Sequence, residues 1–161
     1  MTLFEFCRWL EHTSIATAIA ESDWLFPAIE AVHVIALTTV VGSIAMVDLR
    51  LLSLLLRNVE PARLIESTLP VTWVAFGFTV ASGLLLFGSA ATHYLENVPF
   101  RYKLLLIGLA GVNMLVFHFV TGARPAVWKV GGTPLGARIA GAASLLLWTG
   151  VVVLGRWIAF D

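Results

Sequence analysis

The stretch WLFPAIEAVHVIALTTVVGSIAMV, Trp24 to Val47, decides the fold. About 20 consecutive, mostly apolar residues suffice for a helix to cross a bilayer. This run exceeds that length, and its only ionisable groups are Glu30 and His33. Working outward, three more such runs follow: Leu69 to Ala91, Phe100 to Val120, and Ile139 to Trp157. Hydrophobic residues make up 59% of the 161 and charged residues 12%, with a mean hydropathy of +0.92. Soluble domains are less apolar and carry about 25% charge, so the balance argues against a soluble enzyme or a disordered tail. With Lys+Arg 10 against Asp+Glu 10 there is no basic excess, and nucleic acid is not an expected partner. A single cysteine, Cys7, excludes an internal disulfide and a cysteine metal cluster. The expected fold is an all-α integral membrane four-helix bundle, one domain over residues 1–161.

Local signals punctuate the spans. Ser22 and Asp23 can cap the first, with Pro27 in its opening turn. Asn97 and Pro99 open the third, and Thr133 with Pro134 the approach to the fourth. Thr121 to Pro125 and Gly131 to Pro134 form the most broken stretch. Residues 1–20 differ in kind. Leu3, Phe6, Cys7 and Leu10 can share one helical face and Glu5, Arg8 and His12 another, the pattern of an amphipathic interfacial helix. Its partly acidic polar face favours docking on the bundle's own end over binding anionic lipid. Gly136, Ala140 and Ser144 in the fourth span, and Gly77 and Ala81 in the second, are small residues at four-residue spacing, where backbones can approach closely or a second copy can pack.

Let side A be the one holding both termini and the loop between spans two and three. It carries four cations (Arg8, Arg101, Lys103, Arg156), and side B carries six (Arg50, Arg57, Arg63, Arg124, Lys129, Arg138). Cations favour the cytoplasmic side, so side B is expected inside and both termini outside. Trp9, Trp24 and Trp157 lie towards side A, and Trp73 and Trp128 towards side B, as interfacial belts do. Trp148 falls mid-span.

Ionisable groups at membrane depth are costly and are functional candidates by default. His33 lies roughly 13 Å below the side A interface. His93 is expected to end the second span near that interface, while His118 belongs to the side B half of the third. A b-type haem needs axial imidazoles, an apolar pocket and cations for its propionates. His33 with His93 is the best-matched axial pair. His118 is a further ligand candidate, alone, with a neighbouring subunit, or with Met46 on a second haem, unless it hydrogen-bonds within the bundle. Arg101, Lys103 and Arg156 are candidate propionate partners, and Trp148 could stack on a haem edge or a quinone. Other readings stay open. The histidines can be hydrogen-bond glue between helices. Glu30, three residues before His33, can orient its imidazole or be half of a Glu-x-x-His di-iron pair whose second half is missing. His12, Glu30, His33 and His93 can form a copper or zinc site. Asp48-Leu49-Arg50 is expected to join an ion-pair network at the side B rim, with a proton or quinone role as the lesser reading.

The run Glu21-Ser22-Asp23-Trp24-Leu25-Phe26-Pro27-Ala28-Ile29-Glu30-Ala31-Val32-His33 is joined by Asp48-Leu49-Arg50-Leu51-Leu52 and Phe100-Arg101-Tyr102-Lys103. Asn113, Phe117-His118, Leu147-Trp148 and Gly155-Arg156-Trp157 follow. Together these resemble a family of small four-span bacterial inner-membrane proteins of unknown function, over most of the chain. The resemblance implies fold and location and no settled activity. A looser similarity, to four-helix membrane b-type cytochromes, rests on histidine placement. The expected function is therefore electron transfer through haem b, between a periplasmic partner and the quinone pool, in a homo-oligomer or larger membrane complex. Its rivals are a cofactor-free accessory subunit and a small metal-binding or transport protein.

Overall fold

The computed structural model describes residues 2–119 and 132–160. Two short helices, α1 (Leu3–Glu11) and α2 (Ser14–Ala20), precede α3 (Leu25–Leu51) and α4 (Pro61–Ser89). A one-and-a-half-turn helix, α5 (Ala91–Glu96), leads into α6 (Val98–Phe119), and α7 (Leu135–Trp157) ends in a 3-10 turn (Ile158–Phe160). Four helices, α3, α4, α6 and α7, are long and apolar enough to cross a membrane. The protein is an all-α, multi-pass membrane bundle.

The spans exceed the expected bounds, for identifiable reasons. Helix α3 continues past Val47 through the charged Asp48 and Arg50, because both side chains are buried rather than solvated. Helix α4 begins at Pro61 rather than Leu69, its proline taking the first-turn position where no N–H is needed, and Pro70 is accommodated inside it. At Ala90 the backbone swings to φ −152, ending α4 and placing His93 on the separate α5 rather than on the second span. Helix α7 starts at Leu135, just after Pro134. The single interfacial helix becomes two because Thr13 caps a new start, its Oγ1 accepting from Ala16 N at 3.4 Å. Val120, the Thr121 to Pro125 stretch, Arg124, Trp128, Lys129 and Gly131 lie outside the described residues.

The four spans pack in the order α4, α3, α7, α6, and α4 and α6 never bring Cα atoms within 8 Å of each other. Helix α3 is apolar all round, so polar and small residues mark its seams. His33, Ala36, Val40, Ser43, Val47 and Arg50, at alternating spacings of three and four, face α4, where Ser43 Oγ meets Thr72 Oγ1 at 2.8 Å. A second stripe ending in Asp48 and Leu51 faces α7. There a Cβ on Gly141 would stand 3.2 Å from the Asp48 carbonyl, so glycine permits the approach. Helix α6 joins α7 through Asn113, whose Nδ2 donates to the Ala140 carbonyl at 3.0 Å. Of the expected small-residue contacts, Ala140 and Ser144 are buried. Gly136, Gly77 and Ala81 are exposed, because the contact stripes of α7 and α4 run along other faces.

The side A end is covered by α1, α2 and α5. Cys7, Ala16 and Ile19 are buried against it, and the Glu11 carboxylate accepts from the N–H and the hydroxyl of Thr92 at 2.8 and 2.7 Å. Helices α4 and α6 are bridged here by Phe87 stacked on Phe100 at 5.6 Å, with Tyr94 5.3 Å from Phe100.

Candidate functional site

Beneath that aromatic bridge lies a polar cluster drawn from five helices. Its centre is His33, half-buried on the α4-facing stripe of α3. Its Nδ1 pairs with Ser82 Oγ at 3.0 Å. Ser82 is itself buried and held by the carbonyls of Phe78 and Thr79 on its own helix. The next residue, Gly83, lets the imidazole lie flush on α4, since a Cβ there would stand 3.1 Å from His33 Cε1. The Thr79 carbonyl also accepts a hydrogen bond from the ring, so the imidazole is held against α4 by Ser82, Thr79 and Gly83.

Two charged groups act on that ring, Lys103 of α6 and Glu30 one turn before it. Lys103 is half-buried and crosses to α7, where its Nζ would be 3.5 Å from a Cβ on Gly155. Long lysine stems do this readily, burying methylenes while the ammonium finds polar company. Glu30 also acts on Tyr94 of α5, whose phenol is pushed above its ordinary value, chiefly by burial and then by that carboxylate. Glu30, itself exposed, is thus within electrostatic reach of His33 and Tyr94, and Lys103 of His33, at the side A end where Phe87 meets Phe100. The sequence reading lacked Ser82, Gly83, Tyr94 and Gly155. Their signal was positional: Ser82-Gly83 is a small polar pair in an apolar run, at the level of His33 in an antiparallel helix.

The other expected ligands lie elsewhere. His93 is exposed on α5, its ring 5.8 Å from that of Tyr94. His118 is exposed at the far end of α6, edge-on to Phe119 at 5.1 Å. It lies 15 residues beyond Lys103, about 22 Å along the helix, and so cannot share an iron with His33. Met46 is exposed on α3, which α7 separates from α6, so Met46 and His118 do not face one another. Arg101 is exposed, and Arg156 turns outward over the Phe160 ring at 4.8 Å. Trp148 is half-buried on the α7 stripe of Ser144, Val151 and Gly155, two turns deeper than Lys103's contact. His12 is exposed, and among the described residues no three histidine, cysteine or acidic side chains assemble around a metal position. The copper, zinc and di-iron sets are not assembled there.

The cluster fits a haem in part. A ligating histidine normally has its other ring nitrogen held by a hydrogen bond, as Ser82 holds Nδ1 here. Lys103 is a cation at the right level for a propionate, and the separation of α4 from α6 keeps that side of the cluster free of helix packing. The chain supplies one half-buried imidazole at this level rather than two.

At the other end of α3, Asp48 and Arg50 are 5% and 1% exposed, and they are not a pair. Asp48 faces α7 and bonds Ser144, while Arg50 Nε donates to the Val59 carbonyl at 2.6 Å.

No curated protein and no solved structure matches the chain. A family model described as a family of unknown function (DUF6644) matches residues 8–161.

Proposed function

We propose, from the premise that this chain belongs to that family of unknown function, that it is a b-type haem electron-transfer protein of the bacterial inner membrane, with His33 as the axial ligand. The observation that carries this reading is the imidazole fixed on α4 through Nδ1 by Ser82, on a helix long and apolar enough to cross a membrane. Haem, when bound, would supply reversible one-electron chemistry. The protein's own part is positional. Ser82 sets the ring's rotation, and Gly83 removes the bulk that would push it off α4. Lys103 offers an ammonium to a carboxylate, and Phe87, Phe100 and Tyr94 shield the cluster from the side A surface. Electrons would pass between a partner on side A and a quinone in the bilayer, with side B cytoplasmic. A partner subunit or a second copy would supply any further ligand.

A second reading is an accessory subunit whose polar residues hold its helices together. Its support is that His33–Ser82 and Ser43–Thr72 both bridge α3 to α4. One experiment separates the two. Protein purified in detergent after expression with a haem precursor should give a reduced b-type α-band. His33→Ala should remove that band and His118→Ala should leave it. A colourless wild type, or a band that survives His33→Ala, overturns the haem reading and leaves the accessory one.

A further inference from the structure

Arg50 has no role in the side A cluster, and its surroundings are unusual. A guanidinium carries five N–H donors and stays charged at any biological pH. Here Nε is satisfied by Val59, whereas Nη1 and Nη2 are buried with no hydrogen-bond partner among the described residues. Asp48 is not that partner, because residues two apart point to different sides of a helix and its carboxylate is turned to Ser144. A buried charge with most of its donors unused is costly enough to require an explanation.

The setting supplies one. Val59 lies two residues before Pro61, so the bond to its carbonyl brings the guanidinium to the N-terminus of α4. That is a 29-residue helix with Glu60 at its N-cap, the carboxylate paired with Arg63 rather than capping the helix. Its first turn has no acidic residue, and the Ala62 and Arg63 amides are left free among the described residues. Free amides at such an end and a guanidinium fork both favour an oxyanion. The intervening loop brings the Val59 carbonyl to Arg50. It turns through two left-handed non-glycine residues, Ser53 at φ 58 and Leu56 at φ 52, and is strapped by Arg57 Nε to the Ser53 carbonyl at 2.6 Å. Its tip, Leu54 to Leu56, is exposed, and Arg57 and Arg63 beside it are exposed cations, Arg63 paired only with nearby Glu60 at 3.5 Å. Left-handed leucine is strained, and such strain is found where a segment must hold or release something.

We propose that Arg50 and the first turn of α4 form a binding site for a phosphate-type oxyanion, entered from side B when the 52–60 loop swings aside. The oxyanion bridges Nη1 and Nη2, while Val59 keeps Nε. Its source is either a phospholipid headgroup or free phosphate.

The full chain, stripped of lipid in a neutral detergent, is offered phosphatidylglycerol, a diacylglycerol without phosphate, or inorganic phosphate at fixed ionic strength. Binding is read by native mass spectrometry. The expected result is one phosphatidylglycerol retained per chain, no diacylglycerol, and at least a tenfold loss of retention in Arg50→Gln. Displacement of that lipid by inorganic phosphate assigns the site to free phosphate, and lack of displacement assigns it to the headgroup. Both support the site. Should Arg50→Gln fail to fold, Leu56→Gly keeps the arginine but relaxes the loop, and lipid exchange should quicken several-fold. Equal retention of the two lipids, no phosphate bound from either source, or retention unchanged in Arg50→Gln (or exchange unchanged in Leu56→Gly) overturns the proposal.

Discussion

At the scale of the residue, the placement of Tyr94 gives the cluster a pH dependence of known sign. Its phenol has an ordinary value of 10.0 and is raised in the folded chain, chiefly by burial. The fold therefore favours the neutral phenol. Its contribution is constant below about pH 10 and is lost as the pH rises through the raised folded value. Thermal unfolding followed between pH 8 and 12 should show an alkaline fall in midpoint that Tyr94→Phe makes shallower. An identical fall in the variant would assign it to other groups. Legibility at this scale was uneven. His33 and Lys103 stood out as ionisable groups in apolar runs. Ser82, Gly83 and Gly155 did not, because their importance lies in what crosses to them from another helix. His93 and His118 stand on exposed faces of α5 and α6, which residue type alone does not reveal.

Elements were legible in kind and less so in their ends. Apolar runs gave the four spans. Helix α3 is apolar all round, however, so hydrophobic periodicity could not say which face it buries. The polar members of its three-and-four-spaced stripe, His33, Ser43 and Arg50, facing Thr72 and Ser82 in the antiparallel α4, carried that information. The docking of α1 was legible as amphipathicity, whereas its anchor, the Glu11 carboxylate on Thr92, joins residues 81 apart in sequence. That anchor also caps the first turn of α5, which has no side-chain cap of its own. Charge-assisted hydrogen bonds are stronger than neutral ones, and with Glu11 half-buried the pair contributes about 2 kcal/mol. Glu11→Ala should free α1 and α5 together, raising amide exchange over 3–11 and 91–96 while leaving α3 and α7 protected. Unchanged exchange would show that apolar contacts around Cys7 suffice.

At the scale of the whole molecule, the side B cation excess predicts orientation. In a Cys7→Ser background, Asn58→Cys should react with an impermeant thiol reagent only from the cytoplasmic side, and Ser14→Cys only from outside. The reverse pattern would invert the membrane placement and put the polar cluster near the cytoplasm. The order α4, α3, α7, α6 was not readable from sequence, because spans of similar apolarity give no hint of their neighbours. The same order sets how the chain can assemble. Helices α3 and α4 form a hairpin complete within the first 89 residues, so the imidazole meets its serine while the later spans are still being made. The α6–α7 hairpin arrives last and attaches along the one seam where Gly141 touches α3. Until that seam closes, Asp48 has no Ser144 and His33 has no lysine beside it. A failure in the last span would thus leave a well-formed half carrying an exposed carboxylate in lipid, a state that membrane quality control can recognise.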